Sequence, residues 1–423
     1  EFTVFYSGKP IIAENAPWDG GFVFSKDEAG KPWVGVACQR IGASSWWPNK
    51  DQQRDEVDSL MISVTVPPGL IDVSNGRLRS TQQMDNGFTK YNWFVSYPIN
   101  NYDVTINIAD YEHFNDTFNG INGALSLDYY VLKESADKAK KHFQTHVKPM
   151  LKSFEHWLGP YPFYRDGYKL IEAPYLGMEH QSAIAYGNTY QNGYAGTDLS
   201  KTSLGLQWDY VIIHESAHEW FGNSITSKDI ADMWIHESFT MYAEALFIES
   251  QQGKQDATTY INGLRANIRN DKPIIGTYNV NKEGSDDMYF KGASMLQTIR
   301  TIINNDPLWL KVLRGMNKRF GLKTITTEDI ITYINKASGI NFTKVFNQYL
   351  RFKDIPTLEV EHNANGLIKY RWQADVPNFD MPLHVYDGSK RLVLKPTPMW
   401  QEVKVEKDFS PDLVNFYIRV NQQ

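Results

Sequence analysis

The apolar positions divide the chain into three parts with different periods. Up to about residue 115, short runs rich in Val, Ile and aromatic residues alternate with turn signals such as Pro67-Pro68-Gly69, a pattern typical of antiparallel β-structure. The predicted strands of this part are 33–37, 60–66, 91–97 and 104–109. Their close spacing favours a β saddle or sandwich over βαβ units.

A helical period begins near residue 133. Residues 134–158 carry apolar side chains at helical intervals, and the pattern ends at Gly159-Pro160. From there to about residue 350 helices dominate, with one strand predicted at 168–173. Thr326 and Asp329 have the spacing of a capping box, which predicts a helix start.

The β pattern returns after Ile355-Pro356, with strands predicted at 357–361, 368–373, 391–394 and 416–420. The chain is therefore predicted to be a multidomain α+β protein. Its expected parts are an N-terminal β domain (1–115), a helical domain with a small sheet (116–350) and a short C-terminal β-sandwich domain (351–423).

Composition narrows the class of protein. The 423 residues carry a net charge of −6, and the 43 Lys and Arg form no basic stripe, which predicts that nucleic acid is not a partner. No apolar run approaches the roughly 20 residues of a membrane span. Aromatic residues make up 14% and tend to concentrate in cores and ligand clefts. The sequence leaves the oligomeric state open.

The cysteine content limits the possible disulfides. The single Cys38 excludes an intramolecular disulfide framework.

The first residues indicate processing. The chain opens with Glu1 rather than Met, already in strand-like alternation. We expect a processed or trimmed product whose N-terminal domain is incomplete, and we expect it to be exported to a periplasmic or extracellular location.

The segment that carries chemistry contains His214, Glu215 and His218. Histidines at i and i+4 face the same side of a helix, so both imidazoles reach one Zn²⁺, and Glu215 lies beside the metal as a general base. Gly222 is expected to end this helix. A chance match of this kind usually lies on a solvated surface. Here the flanking residues are largely apolar, which predicts a buried helix and favours the metal site.

A third ligand defines the kind of site. Phe221 and Ser224 occupy the positions where the metzincin pattern needs Gly and His, which excludes that class. Glu237 follows His218 by 19 positions on a second predicted helix. Two His and one Glu leave a coordination position open for water, as in catalytic zinc sites, so one zinc per chain is predicted. Glu244 is expected either to accept the free ring N–H of a ligand histidine or to form a peripheral salt bridge.

These residues resemble the aminopeptidase N family of zinc metallopeptidases, gluzincins that also include leukotriene hydrolase. Further stretches agree with that family: Gly177-Met178-Glu179-His180, Met288-Tyr289-Phe290-Lys291-Gly292, and Trp46-Trp47-Pro48-Asn49-Lys50-Asp51. The resemblance implies a thermolysin-like catalytic domain. The chain departs from the family pattern at His180 and at His236-Glu237-Ser238, where Asn and Asn-Glu-Gly are usual. We expect the chain, which ends at Gln423, to be without the long C-terminal helical domain of four-domain relatives, and we therefore expect a more open cleft.

The resemblance also implies roles for individual residues. Tyr289 would stabilise the oxyanion, and Glu179 would bind the free α-ammonium of the substrate. Gly177 and Met178 would lie on an edge strand that pairs with the peptide backbone. Gln39 would contact the first substrate residue.

The favoured function is therefore a zinc aminopeptidase that cleaves the N-terminal peptide bond of peptides with a free N-terminus. A non-catalytic peptide-binding scaffold and an epoxide hydrolase on the same zinc are the alternatives. All of His214, Glu215, His218, Glu237 and Tyr289 are present, which argues against a degenerate scaffold. The other histidine pair at i and i+4, His142 and His146, lies on a Lys-rich helix and is expected to be solvated.

Overall fold

The computed structural model describes residues 3–38, 42–363 and 366–422 and shows a mixed α+β fold. The described residues form two compact units. One comprises residues up to 199, with 203–229 and 317–324, and the other comprises 200–202, 230–316 and the residues from 325 onward. Both units contain helices and strands, so the boundaries of the three predicted domains stay a prediction.

The front part of the first unit is β-structure, as predicted. Its strands are β1 (Gly21–Lys26), β2 (Pro32–Ala37), β3 (Leu60–Val66), β4 (Ile71–Ser74), β5 (Arg77–Gln83), β6 (Thr89–Val95), β7 (Ile106–Ala109), β8 (Tyr111–Gly120) and β9 (Gly123–Leu132). Two sheets have the orders β1-β2-β7-β4 and β3-β6-β5, and their pairings are antiparallel. The core against which they pack includes Ile62, Val73 and Trp93.

The second part of the first unit is arranged around a five-stranded sheet. It contains helix α1 (Ala136–Leu158), strands β10 (Tyr168–Glu172), β11 (Gly177–Met178) and β12 (Ile184–Tyr186), helix α2 (Tyr210–Ala217) and strand β13 (Ile225–Ser227). The sheet has the order β11-β12-β10-β9-β8. Strand β11 lies at the edge, antiparallel to β12, which confirms the edge position predicted for Gly177 and Met178.

Helices follow. They are α3 (Trp234–Gln252), α4 (Lys254–Leu264), α5 (Asp287–Ile303), α6 (Asp306–Phe320), α7 (Thr327–Ser338) and α8 (Thr343–Arg351), with the short strand β14 (Lys323–Ile325) before α7. The capping box at the start of α7 is confirmed, because the Thr326 hydroxyl accepts from the Asp329 amide while the Asp329 carboxylate accepts from the Thr326 amide. Among the described residues, none of the helices has the length and apolar character needed to cross a bilayer.

The last part of the chain is again β-structure. Its strands are β15 (Thr357–Asn363), β16 (Leu367–Gln373), β17 (Leu383–Asp387), β18 (Lys390–Leu394), β19 (Gln401–Lys404), β20 (Phe409–Pro411) and β21 (Arg419–Gln422). They form sheets with the orders β19-β16-β15-β21 and β18-β17-β20. The prediction of a strand at 416–420 is wrong at its start, because pairing with β15 begins only at Arg419.

Candidate metal centre and substrate site

Helix α2 is short, and its first turn is fixed by Asp209. The Asp209 carboxylate accepts a hydrogen bond from the amide of Ile212, the N-capping arrangement that satisfies an otherwise unpaired helical N–H. The same carboxylate accepts two further hydrogen bonds, from the hydroxyl of Tyr186 at 2.7 Å and from Nδ2 of Asn188 at 2.9 Å. The two turns that carry His214 therefore start from a fully buried, multiply bonded carboxylate.

The prediction that His142 and His146 are solvated is wrong. Nε2 of His142 lies 2.7 Å from Oδ2 of Asp209, so this residue of α1 joins the cap of α2. His146 is buried, and burial, assisted by the neighbouring His142, lowers the pKa of its imidazole to about 4. The Lys-rich composition of α1 indicated that the histidines lie on an exposed face, but the face of α1 that carries them packs against the start of α2.

The helix ends at Ala217, so the prediction that Gly222 ends it is also wrong. His218 follows the last helical residue, and its Nδ1 lies 2.9 Å from the carbonyl oxygen of Phe221. Nδ1 of His214 lies 3.0 Å from the hydroxyl of Tyr210, whose ring stacks on the imidazole at an interplanar angle of 16°. Hydrogen bonds at both Nδ1 atoms leave the two Nε2 lone pairs for a metal.

The two Nε2 atoms lie 3.4 Å apart. Nitrogens bound at about 2.05 Å to one tetrahedral zinc are separated by about 3.3 Å, so the imidazoles fit a shared ion. Candidate ligand atoms of His214, His218 and Glu237 lie within 4.8 Å of one another. Glu237 stands in the first turn of α3 and is 3% exposed. The donor set of two imidazoles and one carboxylate is the one expected for a catalytic zinc site.

A second group of side chains overlaps the first. Ligand atoms of Glu179, Glu215 and His218 also lie within 4.8 Å of one another. Gly177 lies close to this group, since a Cβ atom there would stand 2.8 Å from Cγ1 of Val211 and 3.1 Å from Oε1 of Glu215. A larger residue at position 177 would thus crowd the predicted general base. The glycine lets the edge strand approach α2.

The aromatic residues around the ligand-bearing segments pack into the interior. Six of them are buried: Tyr210, Trp220, Phe221, Trp234, Phe239 and Tyr242. The high aromatic content of this region therefore contributes rigid packing around the site.

Other predicted site residues have less defined roles. Tyr289 is half-buried near the start of α5, and its action on an oxyanion stays a prediction. Glu244 is buried and accepts a hydrogen bond from the Tyr260 hydroxyl at 2.5 Å. The contacts described for Nδ1 of His214 and His218 go to other groups, so a bond from either to Glu244 stays a prediction. Gln39 lies outside the described residues.

His180, which departs from the family pattern, is fully buried beside Glu179. Burial lowers the pKa of its imidazole to about 3, so the ring is neutral. Neither ring nitrogen has a hydrogen-bond partner among the described residues. Three further residues of this region, Asp209, Glu219 and Asn223, were not predicted from the sequence. Their only sequence signal was proximity to the histidine motif.

Residues 143–349 match the sequence model of the peptidase family M1 domain. Aminopeptidase N of Lactobacillus helveticus is 25% identical over 230 residues, 49% of this chain and 26% of that protein. Probable aminopeptidase 1 of Sulfurisphaera tokodaii is 23% identical over 93% of this chain and 50% of its own length. The chain thus spans at most half the length of these relatives.

A solved structure is similar in fold. Aminopeptidase A of Legionella pneumophila, crystallised in complex with aspartic acid, matches 95% of this chain and 48% of its own chain with a TM-score of 0.74. The sequence identity is 15%, so the likeness concerns the fold alone.

Proposed function

Residues 143–349 constitute a domain of peptidase family M1, and from that premise we propose that the chain is a zinc-dependent aminopeptidase. Its reaction is hydrolysis of the first peptide bond of peptides with a free N-terminus. His214, His218 and Glu237 hold the zinc. Glu215 is the general base, and Glu179 binds the α-ammonium group. A zinc ion at these ligands lowers the pKa of water and polarises a carbonyl group.

The observation that carries this proposal is the group formed by Glu179, Glu215 and His218, with ligand atoms within 4.8 Å of one another. In an N-terminal residue the amine nitrogen and the scissile carbonyl carbon are about 2.5 Å apart, because only Cα separates them. A carboxylate that holds the ammonium at about 2.8 Å therefore places that carbonyl beside the base. A peptide bond further along the substrate would lie several ångströms away.

Different residues of the chain have different roles in the reaction. Glu215 accepts a proton from the attacking water and returns it to the leaving amine, as a carboxylate of suitable reach does in general acid–base catalysis. The Tyr289 hydroxyl donates a hydrogen bond to the oxygen on which charge develops. Gly177 and Met178 on the edge strand β11 offer backbone groups to an extended peptide.

Metal analysis combined with hydrolysis of a panel of aminoacyl fluorogenic substrates tests the proposal. We expect about one zinc per chain and cleavage of the free aminoacyl substrates. Glu215→Gln should lower kcat by about 10²- to 10⁴-fold with the zinc retained. Glu112→Gln, which changes a carboxylate on β8 paired with Lys140, is the matched control and should behave as wild type.

Two outcomes would overturn parts of the proposal. Cleavage of an N-acetylated substrate at the rate of the free one would remove the role given to Glu179. Zinc-free protein that still cleaves the panel at full rate would contradict the metal site and the mechanism together.

A further inference from the structure

Residues 179–182 form a segment whose backbone is bonded at several consecutive positions. The carbonyl oxygen of Glu179 accepts from Nδ2 of Asn223 at 2.7 Å. The amide of Ser182 donates to Oε1 of Glu219 at 2.8 Å. On the other side, Asn75 donates from Nδ2 to the carbonyl of Gln181 at 2.7 Å. The backbone next to the Glu179 carboxylate is therefore fixed at both of its ends.

Two of these bonds come from the segment that carries a predicted zinc ligand. Residues 218–223 are tied together, because the amide of Asn223 donates to the carbonyl of His218 at 3.0 Å and Nδ1 of His218 lies 2.9 Å from the carbonyl of Phe221. Glu219 has a further contact at Oε2, which lies 3.1 Å from the Tyr161 hydroxyl. The side chains of Glu219 and Asn223 are 0% and 2% exposed, so water does not compete for these bonds.

We infer that Glu219 and Asn223 are positioning residues that set the place of the Glu179 carboxylate relative to His218. The inference rests on the proposed function, in which Glu179 binds the substrate ammonium. The bonds run directly from the ligand segment to the backbone of residues 179 and 182. The distance from the zinc ligand to the ammonium site is thus fixed by two side-chain bonds rather than by loop packing. An error of about 1 Å in such placement is enough to reduce catalysis strongly.

Loss of either bond should weaken recognition of the substrate amine and leave the metal site intact. Asn223→Asp removes the donor to Glu179 with little change in shape. Glu219→Leu removes the acceptor for Ser182, whereas Glu219→Gln keeps an acceptor oxygen and is the conservative variant. Asn223→Ser, whose hydroxyl is too short to reach, tests the same bond should the buried charge of Asn223→Asp prevent folding.

Binding measured by calorimetry on zinc-loaded protein gives a readout other than turnover. The probes are the hydroxamate of the best-cleaved amino acid and its deamino analogue, which bind the metal in the same way but differ in the α-amine. In Asn223→Asp and Glu219→Leu we expect the amine-bearing probe to weaken by about 10-fold or more, and the deamino probe by less than about 3-fold. Glu219→Gln should stay within about 2-fold of wild type for both, and zinc content should be equal in all variants.

The binding results distinguish a positioning role of Glu219 and Asn223 from a general structural effect and from a failure of the role proposed for Glu179. Equal weakening of both probes would overturn the inference, because it would show a general structural effect on the metal site. Unchanged binding of both probes in folded Asn223→Ser and Glu219→Leu would overturn it as well. If wild-type protein binds the two probes equally, the failure lies with the role proposed for Glu179. If only the variants fail to discriminate, the positioning role is supported.

Discussion

At the residue scale, Tyr210 determines how the first histidine of the motif presents its ring. Its hydroxyl contacts Nδ1 of His214 and its ring stacks on the imidazole with centroids 4.8 Å apart. Partners of this kind fix both the tautomer and the orientation of a metal ligand. Because Tyr210 and His214 are at i and i+4 on one helix, this contact follows from the same spacing that identified the motif.

Tyr210→Phe should weaken zinc binding by about 10- to 100-fold, because the stacked ring remains while the hydrogen bond to His214 is lost. Competition with a chromophoric chelator measures the affinity. Tyr164→Phe removes a hydroxyl that bonds Glu155 at 2.6 Å and should leave zinc affinity unchanged. Equal affinity of Tyr210→Phe and wild type would contradict the role of the hydroxyl.

Asp72 on β4 gives a pH-dependent contribution to stability. Burial raises the pKa of its carboxyl from 3.8 to about 8, against a smaller opposing effect of the bond from Ser74. Between pH 3.8 and about pH 8, the Asp72 carboxyl holds a proton in the folded protein that it has released in the unfolded chain. The free energy of unfolding therefore falls as pH rises through this window, by up to about 1.4 kcal/mol per pH unit.

Asp72→Asn removes this titration. We expect its thermal midpoint to exceed that of wild type by a margin that grows from pH 5 to pH 8. Asp85→Asn, at an exposed turn position, should follow wild type across the range. A constant difference between Asp72→Asn and wild type would show that Asp72 is ionised in the folded protein throughout.

Residue-level prediction is strongest where the signal is local. The four-residue spacing of His214 and His218 predicts that their imidazoles lie close together, and their Nε2 atoms are 3.4 Å apart. The bond between His142 and Asp209 joins residues 67 positions apart, and neither periodicity nor composition carries that information. The composition of α1 indicated solvent for a surface that tertiary packing covers.

At the element scale, helices α3 and α5 approach each other closely at one point. A Cβ atom on Gly292 would stand 1.8 Å from Oγ of Ser238, so only glycine fits there. The Ser238 hydroxyl also donates to the carbonyl of Met288 at 2.6 Å. This contact joins the residue after Glu237 to the residue before Tyr289, and it gives a structural reason for the glycine of the Lys291-Gly292 pair.

Gly292→Ala should push α5 away from α3, destabilise the protein by about 1 to 3 kcal/mol and lower kcat/KM through displacement of Tyr289. Chemical denaturation and kinetics on one aminoacyl substrate measure the two effects. The double variant Ser238→Gly with Gly292→Ala removes the clash and should recover part of both losses. Additive losses in the double variant would show that the close approach is not the cause.

Element boundaries were predicted best where turn chemistry or capping marks them. The capping box placed the start of α7, and Gly159 marked the end of α1. The start of β21 was missed because Phe416 and Ile418 are buried in alternation with the less buried Tyr417, which imitates a strand without ladder pairing. The end of α2 was missed because the turns after Ala217 are shaped by bonds around His218.

At the scale of the whole molecule, zinc is expected to be needed for activity and dispensable for the fold. Two of the predicted ligands, His214 and Glu237, lie on helices, and His218 directly follows the first of these. Both helices carry buried apolar side chains, including Val211, Ile213, Phe239 and Met241. We expect this packing to persist when the metal is withdrawn. The protein is therefore expected to differ from small zinc domains, which unfold without their ion.

Removal of zinc with a chelator should abolish hydrolysis, leave the far-ultraviolet circular dichroism spectrum close to that of the loaded protein, and lower the thermal midpoint. Free zinc at 100 times its dissociation constant stabilises by about 2.7 kcal/mol. Added zinc should restore both the hydrolytic activity and the thermal midpoint. An unfolded spectrum after chelation would contradict the expectation by showing that the ion holds the fold.

The order of the three parts (β, then helical, then β) was predictable because apolar residues recur at different intervals in strands and in helices. The pairing of β9 with β10 was not, because the 23-residue helix α1 separates these two strands in sequence. Parallel pairing across such a connection leaves no local signal.

This sheet has a practical consequence for recombinant fragments. The region matched by the family model begins at residue 143, inside α1 and after β8 and β9. A fragment cut there would lose two of the five strands and the first two turns of α1, and it would leave the fully buried strand β10 as a bare edge. Such an edge is a template for aggregation. Expression trials should therefore start before Tyr111, because the smallest unit recognised by sequence is not the smallest unit that can remain in solution.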